Sequence, residues 1–192
     1  QSAARDDMRR NIDAWWPHIE AGVEAIVVTA SGCGVQVRDY GHALADDAVY
    51  AEKAAKVSEL CRDPAEIIAA ERQRMLEMLA VSRLDRGKLS FHSPCTLQHG
   101  LKIRGIIEDF LSSAGYIISP SADAHLCCGS AGTYSVLQPE LSGRLRDNKL
   151  AALSAAAPRM IATANIGCLT HLQAGSVLPV RHWIELIDEA LA

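Results

Sequence analysis

Two cysteines stand side by side in DAHLCCGSAGTY (123–134), Cys127 and Cys128, immediately before Gly129. Adjacent thiols bond each other only in strained geometry, so the pair does not read as a structural disulfide. Three further cysteines sit in comparable settings: Cys33 in SGCG, Cys95 in HSPC and Cys168 in NIGC. Soft thiolates suit iron–sulfur clusters and zinc, and Cys95, Cys127, Cys128 and Cys168 make a four-thiolate set for either. Gly129 and Gly167 remove side chains that would block a bulky inorganic group, and they free backbone N–H groups to bond its sulfides. Helix N-termini following Cys128 and Cys168 favour negative charge on the sulfurs. The plainer alternative for the vicinal pair is two small apolar residues in a tight turn. Cys61, in SELCRDP at the end of a helical pattern, reads as structural.

Such a set requires elements that bring distant segments together. Strand-like runs fall at 24–30, 88–93, 115–120, 159–165 and 178–182, and helical patterns at 6–22, 46–60, 64–81, 101–114, 135–156, 168–175 and 183–191. The alternation predicts an α/β fold, a three-layer α/β/α arrangement on a parallel sheet. Pro17 suggests a kink or break in the first helix, while Asp63 and Pro64 mark the start of the third. HSPC, LCCG and NIGC each follow a predicted strand, and loops at the carboxyl ends of parallel strands are where open α/β sheets bind ligands. IVVTASGCGVQV (26–37) and MIATANIGCLTHL (160–172) share a strand, a small-residue turn and Gly-Cys opening a helix. This outline predicts a duplicated unit whose first copy is incomplete: residues 1–85 hold the end of the first copy and a helical connection, 86–192 the complete second.

The formal charge of −4, with 23 acidic against 19 basic residues and no basic block, argues against a nucleic-acid partner. No apolar run is long enough to cross a bilayer and QSAARDDMRR does not resemble a signal peptide, so a cytoplasmic protein with reduced or metal-bound thiols is expected. The abrupt start without Met suggests a fragment. Gly129 and Gly132 do not form a dinucleotide-binding pattern, and there is no Ser-His-Asp elbow or carboxylate pair. Trp15 and Trp16 are expected to pack on the sheet or on a missing part of the chain.

Cys95, 31 residues, then Cys127-Cys128-Gly129 resembles the cysteine-rich CCG domain found in heterodisulfide reductases, succinate dehydrogenase E-type subunits and glycolate oxidase iron–sulfur subunits. NIDAWWPHIEAGVEAIVVTASGCGVQVRDYGHAL, CCGSAGTYSVLQPE and GCLTHLQAG are similar to the C-terminal region of the last of these. That family carries two ferredoxin-type cluster motifs followed by two cysteine-rich repeats. The resemblance implies that Cys33 is the final cysteine of a first repeat whose other ligands precede Gln1. It also implies a C-x-x-C near the end of each repeat, yet Asn165 and Ala30 occupy the first cysteine positions. The five-cysteine set of heterodisulfide reductase is therefore reduced to four, which suits a conventional four-iron (4Fe-4S) cluster. His92, in the family's H-x-P-C pattern, is expected as a ligand, as a donor to a cluster sulfur, or as a backbone-satisfied histidine. His171, three residues after Cys168, is a reserve ligand for zinc or a solvated residue, and His182 reaches the same edge or caps the last helix.

By this resemblance the chain is an iron–sulfur electron-transfer portion of a glycolate oxidase-like complex. Flavin-containing subunits would oxidise glycolate to glyoxylate, and the electrons would pass toward a membrane quinone pool, with peripheral association at the inner face of the cell membrane. Its own ferredoxin-like region would be a partner, and the chain alone would not turn over glycolate. Two alternatives stand beside this: a zinc-binding or metal-free docking module, and a thiol–disulfide redox module built on Cys127 and Cys128, against which the lost fifth cysteine argues.

Overall fold

The computed structural model describes residues 2–80 and 85–191, and the chain divides into two compact units, Gln1–Pro64 and Ala65–Ala192. The first unit contains α1 (Ser2–Glu20), β1 (Ile26–Val27), α2 (Ser31–Arg38), α3 (Tyr40–Ala43), α4 (Ala51–Leu60) and β2 (Cys61–Arg62). β1 and β2 pair in parallel, Ile26 opposite Cys61 and Val27 opposite Arg62. The strand expected over 24–30 is thus only two residues long, because its single partner is equally short. Ile12, Val37, Tyr40, Leu44, Ala54, Val57 and Cys61 form the core. Cys61 is structural as expected, fully buried with its thiol 3.8 Å from the Gly34 carbonyl. Trp15 stacks on Tyr40 at 6.3 Å between centroids, and Asn11 donates to the Tyr40 hydroxyl at 2.8 Å.

Pro17 does not split α1. It lies in the closing turns, where α1 ends with the Gly22 N–H on the Ile19 carbonyl and the Val23 N–H on the His18 carbonyl. Gly22 adopts φ +91°, the left-handed conformation that such a helix end requires. A proline so near the terminus removes little of the backbone bonding that would hold a longer helix together.

The second unit opens with α5 (Pro64–Ala70) and α6 (Arg72–Ala80), then β3 (Gly87–His92), a π-helical turn (Thr96–Gly100), α7 (Ile106–Ser113), β4 (Tyr116–Ser119), α8 (Tyr134–Leu137), α9 (Pro139–Ser154), β5 (Met160–Thr163), α10 (Ile166–Gln173), β6 (Val180–His182) and α11 (Trp183–Leu191). The four strands form one parallel sheet in the order β4-β3-β5-β6 with helices on both sides, the α/β arrangement expected. α6, α7 and α11 pack together, as do α9 and α10. The helical connection expected with the first unit therefore lies in the second, where Arg72 stacks over the Phe110 ring at 5.2 Å.

Several predicted helices are interrupted. The pattern over 64–81 divides at Glu71 into α5 and α6, and its last residue lies outside the described residues. The pattern over 101–114 yields α7 only from Ile106, after Gly105 at φ +77°. The pattern over 135–156 breaks at Gln138, whose φ −132° and ψ 58° are non-helical. Pro139 accounts for that break, since a proline ring disfavours helical geometry in the residue before it and is well suited to the first helical position.

Candidate metal centre

The order of the sheet determines where a site can form. β3 and β5 are neighbours, but the chain leaving β3 passes to β4 on one side and the chain leaving β5 passes to β6 on the other. Loops diverging from adjacent parallel strands leave a crevice beyond their carboxyl ends. The register places His92, the last residue of β3, opposite Thr163, the last of β5. Cys95 follows β3 and opens the π-helical turn. Cys127 and Cys128 lie in the loop between β4 and α8, and Cys168 is the third residue of α10.

The four thiols meet. Cys127 interacts with Cys95 and with Cys128, and Cys128 interacts in turn with Cys168. A ring nitrogen of His92 and the sulfurs of Cys128 and Cys168 all lie within 4.8 Å of one another. All six cysteines are free thiols; Cys128 and Cys168 are buried and Cys95 and Cys127 half-buried.

Packing four thiols together concentrates charge on one of them. Cys128, then Cys95, donate to the Cys127 sulfur, and its pKa falls far below the ordinary thiol value. The Gly129 N–H adds a third bond at 3.3 Å. Cys95 is pushed up because it is the donor to Cys127 and is desolvated; Cys128 is pushed up by its bonds to Cys127 and Cys168. Such a group holds one negative charge easily and several only with a compensating cation, which is what a metal-bound thiolate set has.

His92 is 2% exposed. Its Nδ1 lies 2.9 Å from Thr163 Oγ1, and Nε2 is buried with no hydrogen-bond partner among the described residues. Burial, reinforced by the charge of Lys149, holds its pKa down to about 4, so the ring is neutral. It is not satisfied by backbone. A neutral imidazole with an unsatisfied nitrogen beside two thiols suits a ligand or a hydrogen-bond donor to a sulfur.

The loop carrying the vicinal pair is fixed by contacts that leave little freedom. Gly129 has φ +92°, and a Cβ there would sit 2.5 Å from the Ser142 carbonyl oxygen and 3.0 Å from Leu145 Cβ. Buried Ser142 donates to the Gly129 carbonyl at 2.8 Å. Gly167 lies between the Asn165 and Ser130 side chains, each 3.2 Å from where its Cβ would be. Ser130 donates to the Gly167 carbonyl at 3.0 Å, tying the CCG loop to the start of α10. Asn165 caps α10, its side-chain oxygen accepting the Gly167 N–H at 2.9 Å. Cys168 lies in the first turn of this eight-residue helix, at the positive end of its dipole.

His171 is half-buried and stands outside the group formed by His92, Cys128 and Cys168: its Nε2 lies 3.2 Å from Ser142 Oγ, bracing the residue that anchors Gly129. His182 takes the capping role, Nδ1 accepting the Ile184 N–H at 3.4 Å. Cys33 lies in the first unit, exposed at the start of α2. Thr163, Ser142 and Lys149 belong to no motif that the sequence displays. Lys149 nevertheless carried a legible signal, because it falls on the same side of α9 as Ser142, Leu145 and Leu153 at helical spacing, where a charge is out of place.

Residues 89–173 match the family model described as CCG: cysteine-rich domain. Over 95% of its length the chain is 54% identical to the glycolate oxidase iron-sulfur subunit of Escherichia coli (strain K12), covering 44% of that protein. It is 29% identical to the probable glycolate oxidase iron-sulfur subunit of Bacillus subtilis (strain 168) over 80% of this chain and 34% of the relative. With lactate utilization protein A of Exiguobacterium sp. (strain ATCC BAA-1283 / AT1b) it shares 27% identity over 90% of this chain and 71% of the relative. The chain thus spans less than half the length of the glycolate oxidase relatives. Among the described residues, no helix is long and apolar enough to cross a membrane.

Proposed function

We propose that this chain is an electron-transfer portion of an iron–sulfur subunit in a glycolate oxidase-like complex, with Cys95, Cys127, Cys128 and Cys168 as ligands of a four-iron cluster. The observation that carries this reading is the meeting of four thiols from three separate loops at one sheet edge. The relatives' names give it a context. A donor set of four soft sulfurs is the usual holder of a four-iron cluster, and the missing Cβ at Gly129 and Gly167 keeps the surrounding backbone close. When bound, the cluster supplies one-electron transfer.

The residues of the chain then divide the remaining work. The Gly129 N–H bonds the Cys127 sulfur, which lowers the electron density on that ligand. His92, neutral and buried, donates through Nε2 to a sulfur or ligates in its own right. Asn165 and Gly167 hold the first turn of α10 so that Cys168 faces the other thiols. Cys33 serves as a ligand in an equivalent earlier repeat. Electrons would come from a flavin-bearing subunit oxidising glycolate to glyoxylate, reach the cluster directly or through a ferredoxin-type region, and leave toward quinone at the cytoplasmic face of the membrane.

In the anaerobically assembled complex, glycolate should bleach the iron–sulfur absorption contributed by this chain, and omission of the flavin-bearing subunit should abolish the bleaching. Unchanged absorption in the complete complex would contradict the relay. A zinc site is the second reading, favoured by the mixed nitrogen and sulfur donors His92, Cys128 and Cys168 within 4.8 Å. It predicts a colourless protein that retains zinc.

A further inference from the structure

Lys149 is a buried cation on α9, 4% exposed. Its ammonium donates to the Asp123 carbonyl at 2.7 Å, and among the described residues it forms no salt bridge with a carboxylate. Burying a charge is costly unless an opposite charge meets it. The charged and titratable groups that act on this one are the Cys128 thiol, the Asp123 carboxylate, the Cys127 thiol and the His92 imidazole.

The placement is specific. Residues 123 and 129 flank the vicinal cysteines, and α9 holds both: Lys149 takes the Asp123 carbonyl and Ser142, two turns earlier, takes the Gly129 carbonyl. Asp123 adopts φ +52°, so the turn entering the CCG loop is held in a conformation that residues other than glycine seldom adopt. Leu126, Cys127, Leu145, Asn148 and Lys149, among others, line a small cavity of about 70 Å³ at this corner. Lys149 and Cys127 thus border the same cavity, and the burial of the lysine limits screening of its charge by solvent.

We propose that Lys149 acts as a positioning and electrostatic residue for the thiolate set, its ammonium beneath the CCG loop raising the reduction potential of the centre. An electron arriving at the centre adds negative charge beside the ammonium, so the cation favours the reduced form. This inference rests on the iron–sulfur reading above.

Lys149→Met and Lys149→Arg in the whole chain, purified anaerobically beside the wild type, separate charge from packing. Iron and sulfide content, an EPR-monitored redox titration and a urea melt would be compared. Reduction of Lys149→Met is expected to be about tenfold less favourable, equivalent to about 59 mV for one electron, while Lys149→Arg stays close to wild type. A methionine variant that assembles no cluster while the arginine variant does would also support the role of charge. Equal potentials in wild type and Lys149→Met, or equal losses in both variants, would overturn it. A wild-type chain that takes up no iron would instead defeat the iron–sulfur reading, and this inference would fall with it.

Discussion

Two helices in this chain begin in the same way and differ in what surrounds them. α2 starts Ser31-Gly32-Cys33 after β1, and α10 starts Ile166-Gly167-Cys168 after β5, so each places a thiol at its third residue. The residue before α2 is Ala30, extended and without a side-chain cap; the residue before α10 is Asn165, equally extended and capping through its side chain. Among the described residues β1 is paired only with a second two-residue strand, whereas β5 is bonded on both sides. Cys33 is exposed, and Cys168 is buried against Cys128 and His92. A strand, a turn and Gly-Cys suffice to set one thiol at a helix start. A site arises where neighbouring parallel strands send further loops to the same edge.

The largest expected difference between these helices is in metal content. Cys168→Ser and Cys128→Ser should each lose most of the bound iron and sulfide after anaerobic purification, while Cys33→Ser should leave the content of this chain unchanged. Equal losses from Cys33→Ser and Cys168→Ser would erase the contrast. Next comes Gly129→Ala, which combines a left-handed backbone with a Cβ 2.5 Å from a buried carbonyl. It should cost about 2 kcal/mol or more by urea denaturation and release the CCG loop. A variant as stable as the wild type would show that the loop is not held as described.

The caps provide a smaller test. Asn165→Ala should lose about 1 kcal/mol, and Ala30→Asn, which introduces the missing cap, should gain up to about 1 kcal/mol in the first unit. If both changes are neutral, capping does not distinguish the two helix starts.

The smallest effect belongs to the first unit alone. There Asp47 accepts two bonds from Arg9, at 2.9 and 2.6 Å, and the N–H groups of Val49 and Tyr50, each at 3.0 Å. These bonds, the Arg9 contact foremost, hold its carboxyl below the ordinary range. Because the folded pKa is lowered, the stabilisation is present above the ordinary carboxylate pKa and disappears as pH falls through the folded value. The urea midpoint of Asp47→Asn should lie below that of the wild type at neutral pH and approach it in acid. A constant difference across pH would contradict the assignment.

Much of the second unit was legible because its signals are local. GKLSFH and MIAT alternate or run apolar between turn residues, and the strands at 88–93 and 159–165 correspond to β3 and β5 within a few residues. The cysteine positions at strand ends were equally readable, since the carboxyl edge of a parallel sheet follows from the order of elements. Helix interruptions were less so, although Pro139 marked one of them. The supports of the site depend on side chains that meet only after folding. Ser142 and His171 are 29 residues apart, a separation that no periodicity connects. Likewise Asn165 stands in sequence where the family pattern has a ligand, but the structure uses it as a helix cap. The Lys149 charge on an apolar helix face was visible, yet its meaning emerges only with the CCG loop lying over it.

At the centre of this account, Cys95, Cys127, Cys128 and Cys168 share one inorganic centre. Simultaneous measurement of iron, acid-labile sulfide and zinc in the anaerobically purified chain tests it most directly. The expected result is iron and sulfide in equal amounts, close to one four-iron cluster per chain, with negligible zinc. A colourless chain with stoichiometric zinc, or with no metal under conditions that preserve such clusters, would contradict it.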